Sequence, residues 1–240
     1  MRRIAYLLLF SITIATQCVF CEEAGGSSQS SGDSSEGSQD SVFLRQQLYN
    51  GKVWRNIYSH RVTGNQFLFT REFLTGSVTM NGKLFTDHQL KYDTYNDELL
   101  IVFDNMTILQ LNKEMINMFT LNYADITHKF IKLEADSLIP VAGYVDVVYE
   151  GKTTLYVKYT SEISRLAQGR TYDVFINDQR IYLKKGDTLF NIRKEKDLLN
   201  LLGDKQQQIR HYIRVNKIRL SKKVPESFVP VLKFYDDILQ

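Results

Sequence analysis

Cysteine is nearly missing from this 240-residue chain: there are two, Cys18 and Cys21, and none beyond them. A disulfide framework in the body of the chain is therefore excluded, and so is a cysteine nucleophile. Long apolar runs are also missing after residue 21; no later segment approaches the roughly 20 apolar residues of a membrane-spanning helix. The sequence has no Gly-x-Ser-x-Gly elbow, no glycine-rich phosphate loop, and no His-x-His, His-Glu-x-x-His or cysteine-paired zinc spacing. The four histidines, His60, His88, His128 and His211, read as turn or strand-surface residues. These motifs give no positive evidence for an enzyme, a resident metal or a cofactor.

What the chain has is aromatic bulk: 14 tyrosines and 14 phenylalanines within a 43% hydrophobic total, enough to fill the core of one fair-sized domain. Residues 1–21, "MRRIAYLLLFSITIATQCVFC", place two arginines before an apolar run and small or polar residues after it. That layout is a secretory signal peptide. Cleavage after Cys21 would remove both cysteines, with Val19 and Cys21 at the positions a signal peptidase reads; lipidation of Cys18 or Cys21 is the competing outcome.

Residues 22–40, "EEAGGSSQSSGDSSEGSQD", hold no apolar anchor and read as a flexible acidic Gly/Ser linker. The formal net charge of +3 falls to +1 without Arg2 and Arg3, and the five linker acids then leave +6 for the chain from Ser41 onward. A bland total conceals an acidic tail and a basic body.

Residues 41–75 form an N-terminal arm or lid, with Asn50-Gly51 as a turn and Trp54, Phe67, Phe69 and Phe73 at irregular spacing. From 76 to 192 the signal is period-two alternation in short runs broken by turn residues. "SVTM" meets "KLFTD" through Asn81-Gly82, a two-residue hairpin turn whose central positions both want positive φ. "HQLKYDTY" and "ELLIVF" follow with Leu90 and Tyr92, then Leu99, Ile101 and Phe103, each set on one face, around a turn at Asn96-Asp97. Eight or more such strands at intervals of about 10–15 residues, without crossover helices, predict an antiparallel β-meander forming a curved sheet or an incomplete barrel. The strand tyrosines read mainly as core.

Residues 193–240 change period and predict two or three helices capping the sheet, with Leu198, Leu201 and Leu202, then Ile209, Tyr212 and Ile213, then Phe228, Val231, Leu232 and Tyr235 on their apolar faces. The fold class is thus mainly β with C-terminal helices. Within the cap, Arg210, Arg214, Lys217, Arg219, Lys222 and Lys223 bring six positive charges with no acid between them. Steps of four and three place Arg210, Arg214 and Lys217 on one helical face. An exported protein has little occasion to meet nucleic acid, and no stacking platform or recognition motif accompanies the charges. The stretch points to an acidic partner surface, an anionic lipid headgroup or lipopolysaccharide, with a solvated face as the bland alternative.

The acids Asp93, Asp97 and Glu98 lack the glycine that an EF-hand loop starting at Asp93 would need at its sixth position. They read as exposed acids at a strand end. Asp146, Glu150, Asp173 and Asp178 fall on or beside strands, where a choice of register could pair any two of them.

Together, the leader, "LYNGKVWRNIY", "GSVTMNGKLFTDHQLKYDTYNDELLI" and "LLNLLGDKQQQIRHYIRVNKIRLSK" resemble exported envelope proteins of Bacteroidota across most of the mature chain. The resemblance brings no catalytic or binding residues with it. It implies a periplasmic or outer-membrane-associated place and a role as accessory subunit of an outer-membrane or periplasmic complex. The expectation is a non-enzymatic envelope protein docking to such a partner; the alternative is a lipid or small-molecule carrier with a sheet-enclosed cavity.

Overall fold

The structure, a computed structural model, describes residues 46–58, 61–165 and 172–239. The expected signal peptide and linker, residues 1–40, lie outside the described residues. Twelve strands make one sheet: β1 Gly51–Val53, β2 Val62–Thr63, β3 Leu74–Met80, β4 Lys83–Asp93, β5 Glu98–Val102, β6 Ile108–Leu111, β7 Ile116–Tyr123, β8 Ile126–Leu133, β9 Gly143–Glu150, β10 Thr153–Ser164, β11 Asp173–Lys185 and β12 Thr188–Ile192. Three α-helices follow: α1 Glu195–Leu201, α2 Gln206–Val215 and α3 Val229–Ile238.

The sheet is the curved, unclosed, mainly antiparallel one expected, and its strand order adds a detail to the meander. The sequence β1-β6-β5-β4-β3-β7-β8-β9-β10-β11-β12 places β3 in the middle, paired on one side with β4 and on the other with β7; β2 joins β11 in parallel. Two meanders therefore grow outward from β3. The hairpin at Asn81-Gly82 forms as its residues require, with φ of 49° and 77°.

The link between the two meanders reports how tightly the sheet curls. Register puts the end of β6 level with Tyr92 and the start of β7 level with Lys83, at opposite ends of β4. Those levels lie about 30 Å apart along a flat strand. The chain from Leu111 to Ile116 can span only about 18 Å. The sheet meets this by bending, helped by bulges at Gly76/Val78 and Thr79/Met80.

Curling also brings the turn after β4 onto distant strands. Ser161 N donates to Thr94 O at 3.2 Å, and Tyr144 N to Asp97 Oδ1 at 3.3 Å. The enclosed face is filled. Phe119 and Phe130 stack at 4.6 Å, Tyr92 and Tyr144 pack edgewise around them, and Leu155, Val157, Ile181 and Leu183 continue the layer toward the helices. Leu198 and the C-cap Leu202, Ile209 and Ile213, and Val231, Leu232 and Tyr235 cover it from α1 and its end, α2 and α3. Each fully buried large apolar side chain is worth about 1.5–3 kcal/mol, so period and burial together explain why these segments form. Opposite-parity residues Val145, Tyr156 and Tyr182 build a smaller cluster with Val141 and Leu189 on the other face.

A polar clamp fixes the last helix. Asp236 accepts from Tyr149 Oη at 2.9 Å and from Thr153 N and Oγ1 at 3.1 and 3.0 Å, joining α3 to the β9–β10 hairpin.

Candidate functional site

A groove of about 710 Å³ opens beside β8, β10 and β11, between an aromatic wall and the turn that precedes α3. Its floor includes His128, which is backed by the buried Asp146. His128 on β8 lies two residues from Phe130, which pairs with Asp146 on β9, so the two side chains are diagonal neighbours on one face. His128 Nδ1 sits 2.8 Å from Asp146 Oδ2, and Tyr159 Oη donates to the same oxygen at 3.4 Å. Burial pushes the Asp146 carboxyl above the usual carboxylate range, while the contacts to His128 and Tyr159 act against it. Burial, then the Asp146 charge, pushes the Tyr159 hydroxyl upward.

With Asp146 ionised and the imidazole neutral, Nδ1 carries the proton and Nε2 is left to the groove as an acceptor. Nε2 has no hydrogen-bond partner among the described residues.

The aromatic wall carries strain. Phe69 adopts φ 62°, and Thr70 N donates to Leu68 O at 2.7 Å around it, the hydrogen-bonding pattern of the rare γ-turn of positive φ. A bulky residue held there costs on the order of 1–3 kcal/mol. The turn sets the Phe69 ring against Tyr123, stacked at 4.7 Å, and against His128 at 4.5 Å. Tyr123, at the end of β7, stays 38% exposed.

On the other side stand Lys222 and Lys223, in the turn bridged by Ser221 and Val224, with Glu226 just beyond. Lys222 pairs with Asp178 at 2.8 Å, and its carbonyl accepts from Gln179 Nε2.

The structure thus divides the six basic residues expected as one surface. Arg210 and Arg214 are exposed one turn apart on α2. Lys217 is off that face: the helix ends at Val215 and Lys217 takes φ 51°, with Lys217 N bonded to Arg214 O and Ile218 N to Ile213 O. This is the left-handed C-terminal cap usually given to glycine. Arg219 is exposed in the following segment, and Lys222 and Lys223 reach the groove.

Two further expectations are corrected. Asp93, Asp97 and Glu98 do flank a turn between two strands, but they are not exposed acids. Asp93 is fully buried and saturated by Gln66 Nε2 at 2.7 Å, Tyr95 N, Asn96 N and Asn96 Nδ2. Asp97 receives Lys113 Nζ at 2.6 Å, Lys158 Nζ at 2.8 Å and the Tyr92 hydroxyl. Glu98 is half-buried. These oxygens are occupied by protein donors, and no cluster able to hold a metal occurs among the described residues.

His128, read as a surface histidine, is the second correction: it is 8% exposed and engaged with Asp146. The signal is present in β9, where Asp146 shares the inward parity of Tyr144. His211 is exposed on α2, His88 is half-buried, and His60 lies outside the described residues.

No family model matches the chain, and neither a curated protein nor a solved structure matches it.

Proposed function

We propose that the protein is a non-enzymatic accessory protein of the cell envelope that docks against an outer-membrane or periplasmic protein through the basic surface from Arg210 to Lys223. The observation that carries this reading is the state of those charges. Arg210, Arg214, Lys217, Arg219 and Lys223 are exposed and have no carboxylate within ion-pair distance among the described residues. Lys113, Lys129, Lys132, Lys158 and Lys185 are neutralised by their own acids, while exposed bases such as Lys52, Arg55, Arg193 and Lys196 are also without an ion pair among the described residues, so what sets this stretch apart is its density of unpaired charge with no acid between. Unpaired charges of one sign steer an acidic partner and set its orientation. The periplasmic or outer-membrane location rests on the leader of residues 1–21 and on the resemblance to exported Bacteroidota proteins.

The filled inner face of the sheet supports surface docking over a carrier with an enclosed cavity. The groove favours a second reading, a small-molecule site on the outside of the core.

Charge reversal at Arg210, Arg214 and Arg219 tests the docking surface. Native purification from the source membrane, with and without these changes, reads the partner, and flotation with phosphatidylglycerol or lipopolysaccharide vesicles reads the lipid alternative. Loss of a copurifying envelope protein with vesicle binding unchanged is the expected result; retention of that protein by the reversed variant overturns the reading.

A further inference from the structure

We propose that the groove lined by His128, which Asp146 holds in place, binds a neutral, hydroxyl-rich ring, a sugar residue of a glycan, with an apolar ring face on Tyr123, which Phe69 backs, and a hydroxyl donating to His128 Nε2. The inference fails separately from the docking reading: the two share only Lys222 and Lys223 at the groove rim, and this one is read on the purified protein.

Three observations select this chemistry. The floor is a directed acceptor: Asp146 holds the imidazole through Nδ1, and Nε2 faces the groove unpartnered among the described residues. A hydroxyl satisfies that acceptor, while a purely apolar lipid tail would leave it unpaired at a cost. The wall is a parallel aromatic pair with a half-exposed tyrosine, set in place by the positive-φ turn at Phe69. A ring with one C–H-rich face and hydroxyls on its edge matches an aromatic surface beside a hydrogen-bond acceptor.

The rim excludes a ligand chosen by charge. Lys222 is neutralised by Asp178 at 2.8 Å, and Lys223 faces the groove along with Glu226, so the rim carries as many acids as bases. Anion sites concentrate cations instead.

Beside the groove Ile126–His128 of β8 pair with β7 alone and Asn177–Gln179 of β11 with β10 alone, so the aromatic wall and the histidine, not closed strand edges, select the ligand. A volume of about 710 Å³ lies within the range of small-ligand sites.

The experiment is isothermal titration of the full chain with maltohexaose, cellohexaose and chitohexaose, at low and high salt. At least one is expected to bind saturably, with an affinity unmoved by salt. Tyr123→Ala, which alters a half-exposed strand end and leaves the core in place, is expected to weaken it by roughly tenfold or more. His128→Phe, of similar shape without the acceptor, is expected to do the same while far-ultraviolet circular dichroism stays unchanged. Absence of saturable binding by all three probes, binding that collapses with salt, or binding indifferent to Tyr123→Ala each overturns the proposal. Vesicle or partner binding lost through charge reversal at Arg210, Arg214 and Arg219 leaves these titrations unaffected, so the two readings fail separately.

Discussion

Lys158 Nζ lies 2.8 Å from Asp97 Oδ1, although 61 positions separate the two residues in the chain. Lys158 also donates to Tyr144 O at 3.0 Å, and Lys113 Nζ takes the other Asp97 oxygen at 2.6 Å. The pair ties the β4–β5 turn to β10 and so holds the curl of the sheet. Removing one member of a buried ion pair costs about 3–5 kcal/mol, because the survivor stays desolvated. Asp97→Leu is expected to lose stability at this scale. Lys158→Met is expected to lose less, since Asp97 keeps Lys113. The double variant should fall short of the sum of the two, measured as urea midpoints at constant m.

The same carboxylate sets a pH dependence. Burial pushes Asp97 up, but Lys158, Lys113 and the Tyr92 hydroxyl outweigh it and hold the carboxyl below its usual range. A depressed folded pKa contributes stability that is complete above the unfolded value of about 3.9 and is lost as pH falls through the folded value. The stability gap between the protein and Asp97→Asn should therefore be constant near neutrality and narrow only in the acid range. Urea titrations at neutral and acid pH check this; a gap that widens on acidification would contradict the ion pair as its source.

Two glycines separate backbone strain from crowding. Gly82 has φ 77°, and a Cβ added there would meet nothing within 4 Å, so Gly82→Ala costs only the left-handed backbone, about 1–2 kcal/mol. Gly143 has φ 85°, and a Cβ there would overlap the Asp97 carboxylate and crowd Lys158 Nζ. Gly143→Ala should add the loss of the ion pair to the same strain and cost more than about 3 kcal/mol. Thermal unfolding of the two variants side by side measures the difference, and equal losses would show that Asp97 can move away at no cost.

Local chemistry makes much of the fold readable, and long-range pairing hides the rest. Asn81-Gly82 turns because both residues tolerate positive φ, and Leu198, Ile209 and Leu232 mark helical faces by spacing alone. Nothing local to β3 says that β7 returns to its free edge, because the choice depends on how far the sheet can bend between Leu111 and Ile116. Asp93 and Asp97 resemble solvated turn acids in the sequence because their donors, Gln66, Lys113 and Lys158, are remote in sequence or belong to other strands. The His128–Asp146 pair is legible in part: both residues occupy the inward parity of their strands, where a polar side chain needs a partner. Phe69 leaves no trace, since a strained γ-turn has no sequence signature in a bulky aromatic.

The clamp on α3 gives a prediction in the alkaline range. The Tyr149 hydroxyl is pushed up to about 12, first by removal from water and then by its hydrogen bond to Asp236 and the nearby charges of Asp236 and Asp237. A raised tyrosine pKa contributes stability that is complete below the unfolded value of about 10 and is lost as pH rises through the folded value. Asp236→Asn keeps an acceptor but removes the charge, so Tyr149 should titrate lower, and the alkaline loss of stability, starting from the same unfolded value, should be smaller and complete at lower pH. Asp236→Ala removes the acceptor as well. It leaves Thr153 N and Oγ1 without their partner under α3, and unsatisfied buried groups cost about 1–3 kcal/mol each. Phenolate absorbance followed against pH separates the two effects, with Tyr149→Phe identifying the relevant transition. If that transition stays in place in Asp236→Asn, desolvation alone sets the Tyr149 value, and the hold of Asp236 on the β9–β10 hairpin must come from its bonds to Thr153.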